Sequence, residues 1–215
     1  CHTQTSHHGG EAFPEQSPYL EWRNSVYSYE DEVTEDSRSC QQCHMEDQDE
    51  MRLAHNPGGF DFGFIDERPE VRGHRFVGGN AFMLDLMADH AAELGILAPP
   101  DALRETAEQT RRQLGRRTAR LTLEDASRDG DQLAFSVRVE NLTGHKLPTG
   151  YPGRRVWVEV TVEDRSRVVW SSGTVSEDGR IEGPKDPFAI PHQAGVVVDA
   201  AAPQVYELVA LDTAG

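Results

Sequence analysis

Two cysteines and a histidine lie within five consecutive residues, Cys40-Gln41-Gln42-Cys43-His44. On one helical turn, positions i, i+3 and i+4 share a face, so both thiols and the imidazole would project from the same side. Thiols at this spacing can form thioethers with the two vinyl groups of haem while the imidazole ligates the iron. We therefore predict covalent haem attachment at Cys40 and Cys43, with His44 as an axial ligand.

Three other chemistries use paired cysteines: a thioredoxin-like redox pair, half of a zinc site, and a structural disulfide. A redox pair belongs at a strand-to-helix step in a βαβ context, and the sequence around Cys40 shows none. A zinc site would need another Cys-x-x-Cys or a regularly spaced histidine pair. Haem is the favoured interpretation, and these three remain its alternatives.

The chain begins with Cys1-His2, which matches the last two residues of a second motif of this kind. We therefore predict a second haem, with Cys1 as an attachment point and His2 as its axial ligand. The alternative is an N-terminal cysteine that carries lipid. We expect both ends of the sequence to be cuts, because it does not start with Met and stops without completing a helix or strand.

Seven of the nine histidines remain once His2 and His44 are assigned. A haem with two histidine ligands takes its distal imidazole from elsewhere in the fold. The segment from Gly73 to Asn80 places His74 among glycines that permit close approach to a flat macrocycle, and Phe76 could stack on it. His74 is therefore the favoured distal ligand.

Four further histidines are candidate iron ligands. His145 lies on a loop rich in Gly and Pro between two predicted strands, from which it could lean onto a haem. His7 or His8 could reach the iron of a neighbouring haem, and His55 has a glycine-flanked setting like that of His74. On the same loop as His145, the neighbouring pair Arg154 and Arg155 could bind haem propionates or simply begin a strand.

The residues after Asn80 have helical periodicity. Asn80 is a suitable N-cap, and a helix to Leu94 would place Met83, Met87, His90 and Leu94 on one apolar face. His90 is then either a core histidine with a hydrogen bond or an iron ligand. A charged helix is predicted from about Asp101 to Arg117.

Strand periodicity dominates the region beyond. Leu121 and Leu123 begin an alternation that Asp129-Gly130 turns back into a second strand, which predicts a β-hairpin. Val156 to Val162 repeats the period, and Val168-Val169-Trp170 offers another strand. We predict an α+β chain: a haem-wrapping, mostly helical and irregular region (1–98), a linker helix (99–118), and an incomplete antiparallel β-sandwich-like domain (119–215).

Composition limits the functions that are possible. Only 37% of residues are hydrophobic, which is low for a core made of side chains alone. The formal net charge is −16, and residues 11–50 are strongly acidic, which argues against nucleic-acid binding. That surface is either simply solvated or steers a cationic redox partner. No run of about 18 apolar residues occurs, so we predict no transmembrane segment.

Four stretches resemble the multihaem c-type cytochromes with a C-terminal β domain, which are related to the tetrahaem cytochrome and hydroxylamine oxidoreductase group. The stretches are residues 13–22, the motif from Cys40 to Met45, His74 to Asn80 with Met83-Leu84, and residues 144–155 with Gly-His-Lys-Leu-Pro-Thr-Gly. The resemblance implies distal ligation by His74 and His145, further haems N-terminal to this sequence, and electron transfer outside the cytoplasm. One complete motif is present, which leaves the haem number open.

Iron held by two histidines has no open position and transfers electrons, so we expect a multihaem electron carrier with at least one haem c. The alternative is a haem enzyme of nitrogen or sulfur oxyanion redox chemistry in which one haem is five-coordinate. A third hypothesis makes the β domain a docking module. Covalent attachment of haem takes place outside the cytoplasmic membrane, so we expect a periplasmic or extracellular protein. No catalytic residue is assigned.

Overall fold

A computed structural model describes residues 3–8, 10–52, 62–183, 197 and 199–207. Cys1, His2 and His55 lie outside these residues, and the side chain of His8 is not described. The chain divides into two compact units. The split unit combines Cys1–Trp22 with His145–Gly215, and the continuous unit is Arg23–Gly144. The predicted boundaries near residues 98 and 118 coincide with neither division.

The chain mixes helices with antiparallel strands and is therefore α+β, as expected. In chain order the elements are β1 (Gln4–His8), β2 (Glu11–Gln16), α1 (Pro18–Arg23), α2 (Cys40–His44), α3 (Ala81–Asp89), α4 (Pro100–Arg117), β3 (Ala119–Asp129), β4 (Gln132–Asn141), β5 (Arg155–Trp157), β6 (Val160–Asp164), β7 (Arg167–Ser172) and β8 (Val205–Glu207). Among the described residues, no helix combines the length and the apolar character needed to cross a membrane.

The described residues of the split unit form three two-stranded antiparallel sheets, β1 with β2, β5 with β8, and β6 with β7. The first is a hairpin that the sequence did not predict, because His7 and His8 interrupt any apolar alternation. The single strand predicted from Val156 to Val162 is wrong. It divides because its two halves have different partners: β5 pairs with β8, a pairing that the Val158 amide continues by donating to Gln204 O at 3.0 Å, whereas β6 pairs with β7.

The continuous unit contains the predicted hairpin and both predicted helices. β3 pairs with β4 so that Leu121 lies opposite Val139, and Gly130 has the positive φ of 57° that the turn requires. Asn80 caps α3 by accepting a hydrogen bond from the Met83 amide at 3.0 Å. α3 ends at Asp89, earlier than the predicted Leu94, and α3 packs against α4.

Buried side chains are few and unevenly placed. In the continuous unit the buried residues among those described are Ala88, Ala107 and Thr110, all on α3 and α4. None of the described residues in 23–52 and 62–79 is buried. Residues 23–79, which contain α2, are called the attachment segment below. Its conformation is held by polar contacts, which the next subsection describes.

Candidate functional site

The five residues of the predicted haem motif form a single helical turn, α2. Ser39 is its N-cap: the Ser39 hydroxyl accepts from the Gln42 amide at 3.3 Å, and the Gln42 side chain accepts from the Ser39 amide at 2.7 Å. This reciprocal pair is a capping box. The Met45 amide closes the other end by donating to Gln41 O at 2.9 Å. Both cysteines and His44 therefore lie on one short helix.

The two motif cysteines are free thiols on exposed residues. Burial of the sulfur raises the pKa of Cys43, while Arg117 and Arg38 oppose that effect and the neighbouring Cys40 adds to it. At neutral pH Cys43 is therefore a protonated thiol. Within the part of the chain that the structure describes, no group of three or more His, Cys, Asp or Glu side chains could hold a metal ion by itself.

The orientation of His44 is set by a backbone carbonyl. His44 Nδ1 lies 2.6 Å from Val77 O, and the Val77 amide donates to His44 O at 2.9 Å. A carbonyl oxygen only accepts, so Nδ1 carries the proton and Nε2 of the neutral imidazole carries the lone pair. Histidines that ligate metals commonly have this second hydrogen bond, which fixes the tautomer and the ring plane.

A two-stranded ribbon brings Val77 to His44. It consists of residues 44–52 and 68–77, which run antiparallel and are named the ribbon here. Its remaining backbone bonds run from Gly73 N to Glu46 O (2.8 Å), from Gln48 N to Val71 O (2.8 Å), from Met51 N to Arg68 O (3.2 Å) and from Arg68 N to Met51 O (2.9 Å). The chain leaving the motif thus returns alongside it and supplies the carbonyl that orients its histidine.

Gly73 and Arg75 each make a contact that holds the ribbon in place. A Cβ atom on Gly73 would lie 2.9 Å from Gln48 Nε2, so glycine permits the close approach of the two ribbon strands. The expectation that the glycines of this segment permit approach to a macrocycle stays a prediction. Arg75 pairs with Glu105 on α4 and lies 3.9 Å from Glu46, which ties the ribbon to that helix.

His74, the favoured distal ligand, is exposed on the ribbon three residues before Val77. Its ring meets Phe76 edge-on with centroids 5.7 Å apart. Phe76 is 61% exposed and has a φ of 49°, a left-handed conformation that costs a bulky residue roughly 1–3 kcal/mol. An exposed aromatic held in a strained conformation suits a surface that is covered when a ligand is bound.

His145 lies in the split unit, on the loop before β5. Its Nδ1 is 3.1 Å from Lys146 O, so His145 has the same tautomer as His44 by the same argument. The Lys146 amide and the Thr149 hydroxyl both donate to Glu21 Oε2, at 2.8 Å and 2.6 Å. His145 is therefore presented by a loop that a carboxylate holds in place.

The other histidines are arranged differently. His7 is exposed on β1 opposite Ala12, and the backbone of His8 pairs with Glu11. The prediction that His90 lies on an apolar face is wrong, because α3 ends before it and His90 is exposed with Nδ1 2.9 Å from the Glu93 carboxylate. The predicted roles of Cys1, His2 and His55 concern residues outside those described.

The two arginines considered as propionate partners have protein partners in this structure. Arg155 forms an ion pair with Glu207, which joins β5 to β8. Arg154 donates from Nη1 to Thr149 O at 3.2 Å, beside Gly150. Arg155 thus begins a strand, and Arg154 braces the loop that carries His145.

Two residues of the site, Val77 and Glu21, could not be singled out from the sequence. Val77 acts through its backbone carbonyl, which every residue has, so its side chain carries no signal. Glu21 was noticed only as part of a longer stretch, because nothing local links it to Lys146 and Thr149, more than a hundred residues away. For Val77, the only available signal was the glycine-rich segment at residues 73–79.

Comparisons with known proteins add nothing to this geometry. No family model matches the sequence, and neither a curated protein nor a solved structure matches it.

Proposed function

We propose that this chain belongs to a multihaem c-type cytochrome that transfers electrons through bis-histidine haems outside the cytoplasm, with one haem c attached at Cys40 and Cys43. The observation that carries the proposal is the setting of His44. It shares one capped helical turn with two free thiols, and its Nδ1 is hydrogen-bonded to Val77 O at 2.6 Å. That bond leaves Nε2 as the ligating atom.

The residues present fit covalent haem. Each thiol adds across a vinyl C=C bond, its sulfur bonding to one carbon and its proton going to the other, so the addition needs no oxidant. When bound, the haem iron supplies one-electron redox chemistry. The chain contributes the two thiols, one axial imidazole of fixed tautomer, and a ribbon that keeps that imidazole in place.

Burial supports the proposal independently. The described residues of the attachment segment include no buried side chain, yet several of its large apolar side chains are exposed, Val33 at 77% and Phe76 at 61% among them. Covering apolar surface stabilises a fold by about 25 cal/mol per Å². A haem covered by this segment would supply the missing core, which is the haem-wrapping arrangement that the composition predicts.

Iron ligation distinguishes a carrier from an enzyme. We assign His74 and His145 as distal ligands, because each is presented on a structured segment and His145 shares the tautomer of His44. Iron with two imidazoles binds no further small molecule and passes electrons. The β-sandwich-like domain expected for residues 119–215 stays a prediction.

The test is a spectrum of the full chain produced with a haem-attachment system in the bacterial periplasm. We expect covalently bound haem by mass spectrometry, at least one haem per chain by the pyridine haemochrome assay, and low-spin bands unmoved by carbon monoxide. A protein without covalent haem would refute the proposal. Covalent haem that binds carbon monoxide in the wild type would instead favour the enzyme.

A matched pair of variants tests the ligand. His44→Ala should convert the Cys40 haem to high spin or abolish its retention, because it removes the imidazole that Val77 O orients beside the two thiols. His90→Ala removes an exposed histidine paired with Glu93 and should leave the spectrum unchanged. Equal spectra for His44→Ala and the wild type would show that His44 is not the ligand.

A further inference from the structure

One carboxylate holds the loop that presents His145. Glu21 Oε2 accepts from the Lys146 amide at 2.8 Å and from the Thr149 hydroxyl at 2.6 Å. Glu21 lies on α1 next to Trp22, which is buried at 7% exposure. Hydrogen bonds to an ionised acceptor are stronger than neutral ones. The loop is therefore anchored at two points to a helix far away in sequence.

Lys146 connects Glu21 to the imidazole through its two backbone polar groups. Its N–H donates to Glu21, and its carbonyl oxygen lies 3.1 Å from His145 Nδ1, which donates to it. The N–H and the carbonyl belong to successive peptide groups that share the Lys146 Cα, and the carbonyl lies in sequence between the two groups that donate to Glu21, the Lys146 amide and the Thr149 hydroxyl. The ring plane of His145 and the proton on Nδ1 thus depend on a carbonyl whose orientation is restricted by two anchor points on Glu21.

We propose that Glu21 is a positioning residue for His145: through the Lys146 backbone it holds the imidazole with Nε2 as its metal-binding atom. The inference rests on the proposed function, because it takes His145 to be an iron ligand. Glu21 itself touches neither iron nor haem in this role. Its contribution is to keep the ring in one orientation before and after ligation, which lowers the ordering cost of binding.

A purely structural role for Glu21 predicts a different outcome. In that case the carboxylate closes the loop, and loss of the loop bonds leaves the His145 ring and its ligation unchanged. Two separate readouts are therefore needed, one for the loop and one for the imidazole. Hydrogen exchange at the Lys146 amide reports the first, because that amide is the donor to Glu21.

The variants are Glu21→Ala, Glu21→Gln and Thr149→Val, made in the full haem-loaded chain. Glu21→Ala removes both bonds, Thr149→Val removes one at nearly constant volume, and Glu21→Gln keeps an acceptor without the charge. The matched control is Glu15→Gln, which removes one negative charge from the same unit; Glu15 accepts from Ser6 and Gln4 instead. Thr149→Val also serves if Glu21→Ala fails to fold.

For the loop, we expect Glu21→Ala to speed exchange of the Lys146 amide by about tenfold or more, the loss for a hydrogen bond to a charged group. The Val158 amide, which donates to Gln204 O at 3.0 Å, should keep its rate. Thr149→Val and Glu21→Gln should give smaller increases, and Glu15→Gln none. Unchanged exchange in Glu21→Ala would overturn the inference at this first step.

For the imidazole, nitrogen-15 shifts report the tautomer and electron paramagnetic resonance reports the spin state. Glu21→Ala should lower the Nδ1–H fraction and convert part of one low-spin haem to high spin, as His145→Ala does completely. Faster amide exchange with an unchanged tautomer and spectrum would mean that Glu21 only closes the loop and does not position His145. If His145→Ala itself leaves the spectrum unchanged, the proposed ligation fails, and the tautomer measurement alone decides the role of Glu21.

Discussion

Two parts of the continuous unit are stabilised in different ways: the helical pair, which α3 and α4 form, and the attachment segment. Ala88 and Ala107 are buried in the helical pair, and small side chains there let the helices approach closely. The attachment segment has no buried residue among those described and is held by backbone hydrogen bonds and exposed ion pairs. The helical pair has a small core of its own; the described part of the attachment segment has none.

Polar contacts specify the attachment segment without supplying much stability. Exposed ion pairs such as Arg75 with Glu105 each contribute roughly 0–1 kcal/mol, and a hydrogen bond contributes about 1 kcal/mol net. Ordering the backbone costs roughly 1–2 kcal/mol per residue. Apolar burial has to make up the difference, and in this segment the haem is the proposed source of it.

The largest effect is expected from removing the covalent attachment. Cys40→Ser with Cys43→Ser should eliminate one haem mass and reduce amide protection in the ribbon to within about tenfold of an unfolded chain. The helical pair should keep its protection, measured at the His90 amide that donates to Leu86 O at 3.1 Å. If the ribbon amides stay as protected as those of the helical pair without haem, the attachment segment does not depend on haem for its stability.

A second change acts on the helical pair alone. Thr110 is fully buried, and its hydroxyl has no hydrogen-bond partner among the described residues. Thr110→Val removes this unsatisfied group and should raise the free energy of unfolding by about 1 kcal/mol. Thr106→Val is the matched control, since the Thr106 hydroxyl already donates to Ala102 O at 2.9 Å and its loss should give no gain. Chemical denaturation with unchanged haem content measures both.

The substitution Phe76→Gly should have opposite effects on the stability of the ribbon in the haem-free and the haem-bound protein. In haem-free protein, Phe76→Gly relieves the left-handed φ of 49° and should be neutral or stabilise the ribbon, by up to about 1 kcal/mol. In the haem-loaded protein the same change removes an apolar contact and should destabilise. Amide exchange in the ribbon, compared between the two forms, gives the sign. The same sign in both would mean that Phe76 does not cover haem.

The smallest effect concerns two glycines of one segment. Gly73→Ala pushes Gln48 aside and should cost at most about 1 kcal/mol, because the obstructing atom ends a flexible side chain. Gly78 has nothing within 4 Å of a Cβ position, so Gly78→Ala should be neutral or stabilise by about 0.4–1 kcal/mol. Thermal unfolding of the two variants side by side gives the difference. A larger loss for Gly78→Ala would mean that the cofactor approaches there.

Local signals in the sequence predicted local structure. The alternation around Asp129-Gly130 predicted the hairpin of β3 and β4, and the cap at Asn80 predicted where α3 begins. The end of α3 was missed because His90 and Leu94 continue the apolar spacing although the helix stops at Asp89. Periodicity does not report where backbone hydrogen bonds end.

Contacts between distant residues could not be predicted. The division of the Val156–Val162 region depends on pairing with residues near Val205, and the His145 loop depends on Glu21. The candidate haem motif itself was evident from residue types and spacing. The atoms that orient its histidine were not, because a backbone carbonyl such as that of Val77 is invisible in a sequence.

The capping box at Ser39 and Gln42 bears on how the proposed haem would be attached. Gln42, the second of the two residues between the cysteines, closes the helical turn that carries both thiols and His44. Under the proposed function, a turn closed by its own side chains would present these reactive groups in register before the cofactor binds. Replacing Gln42 by a residue whose side chain has no acceptor would keep the Cys-x-x-Cys-His spacing and lose this closure of the turn.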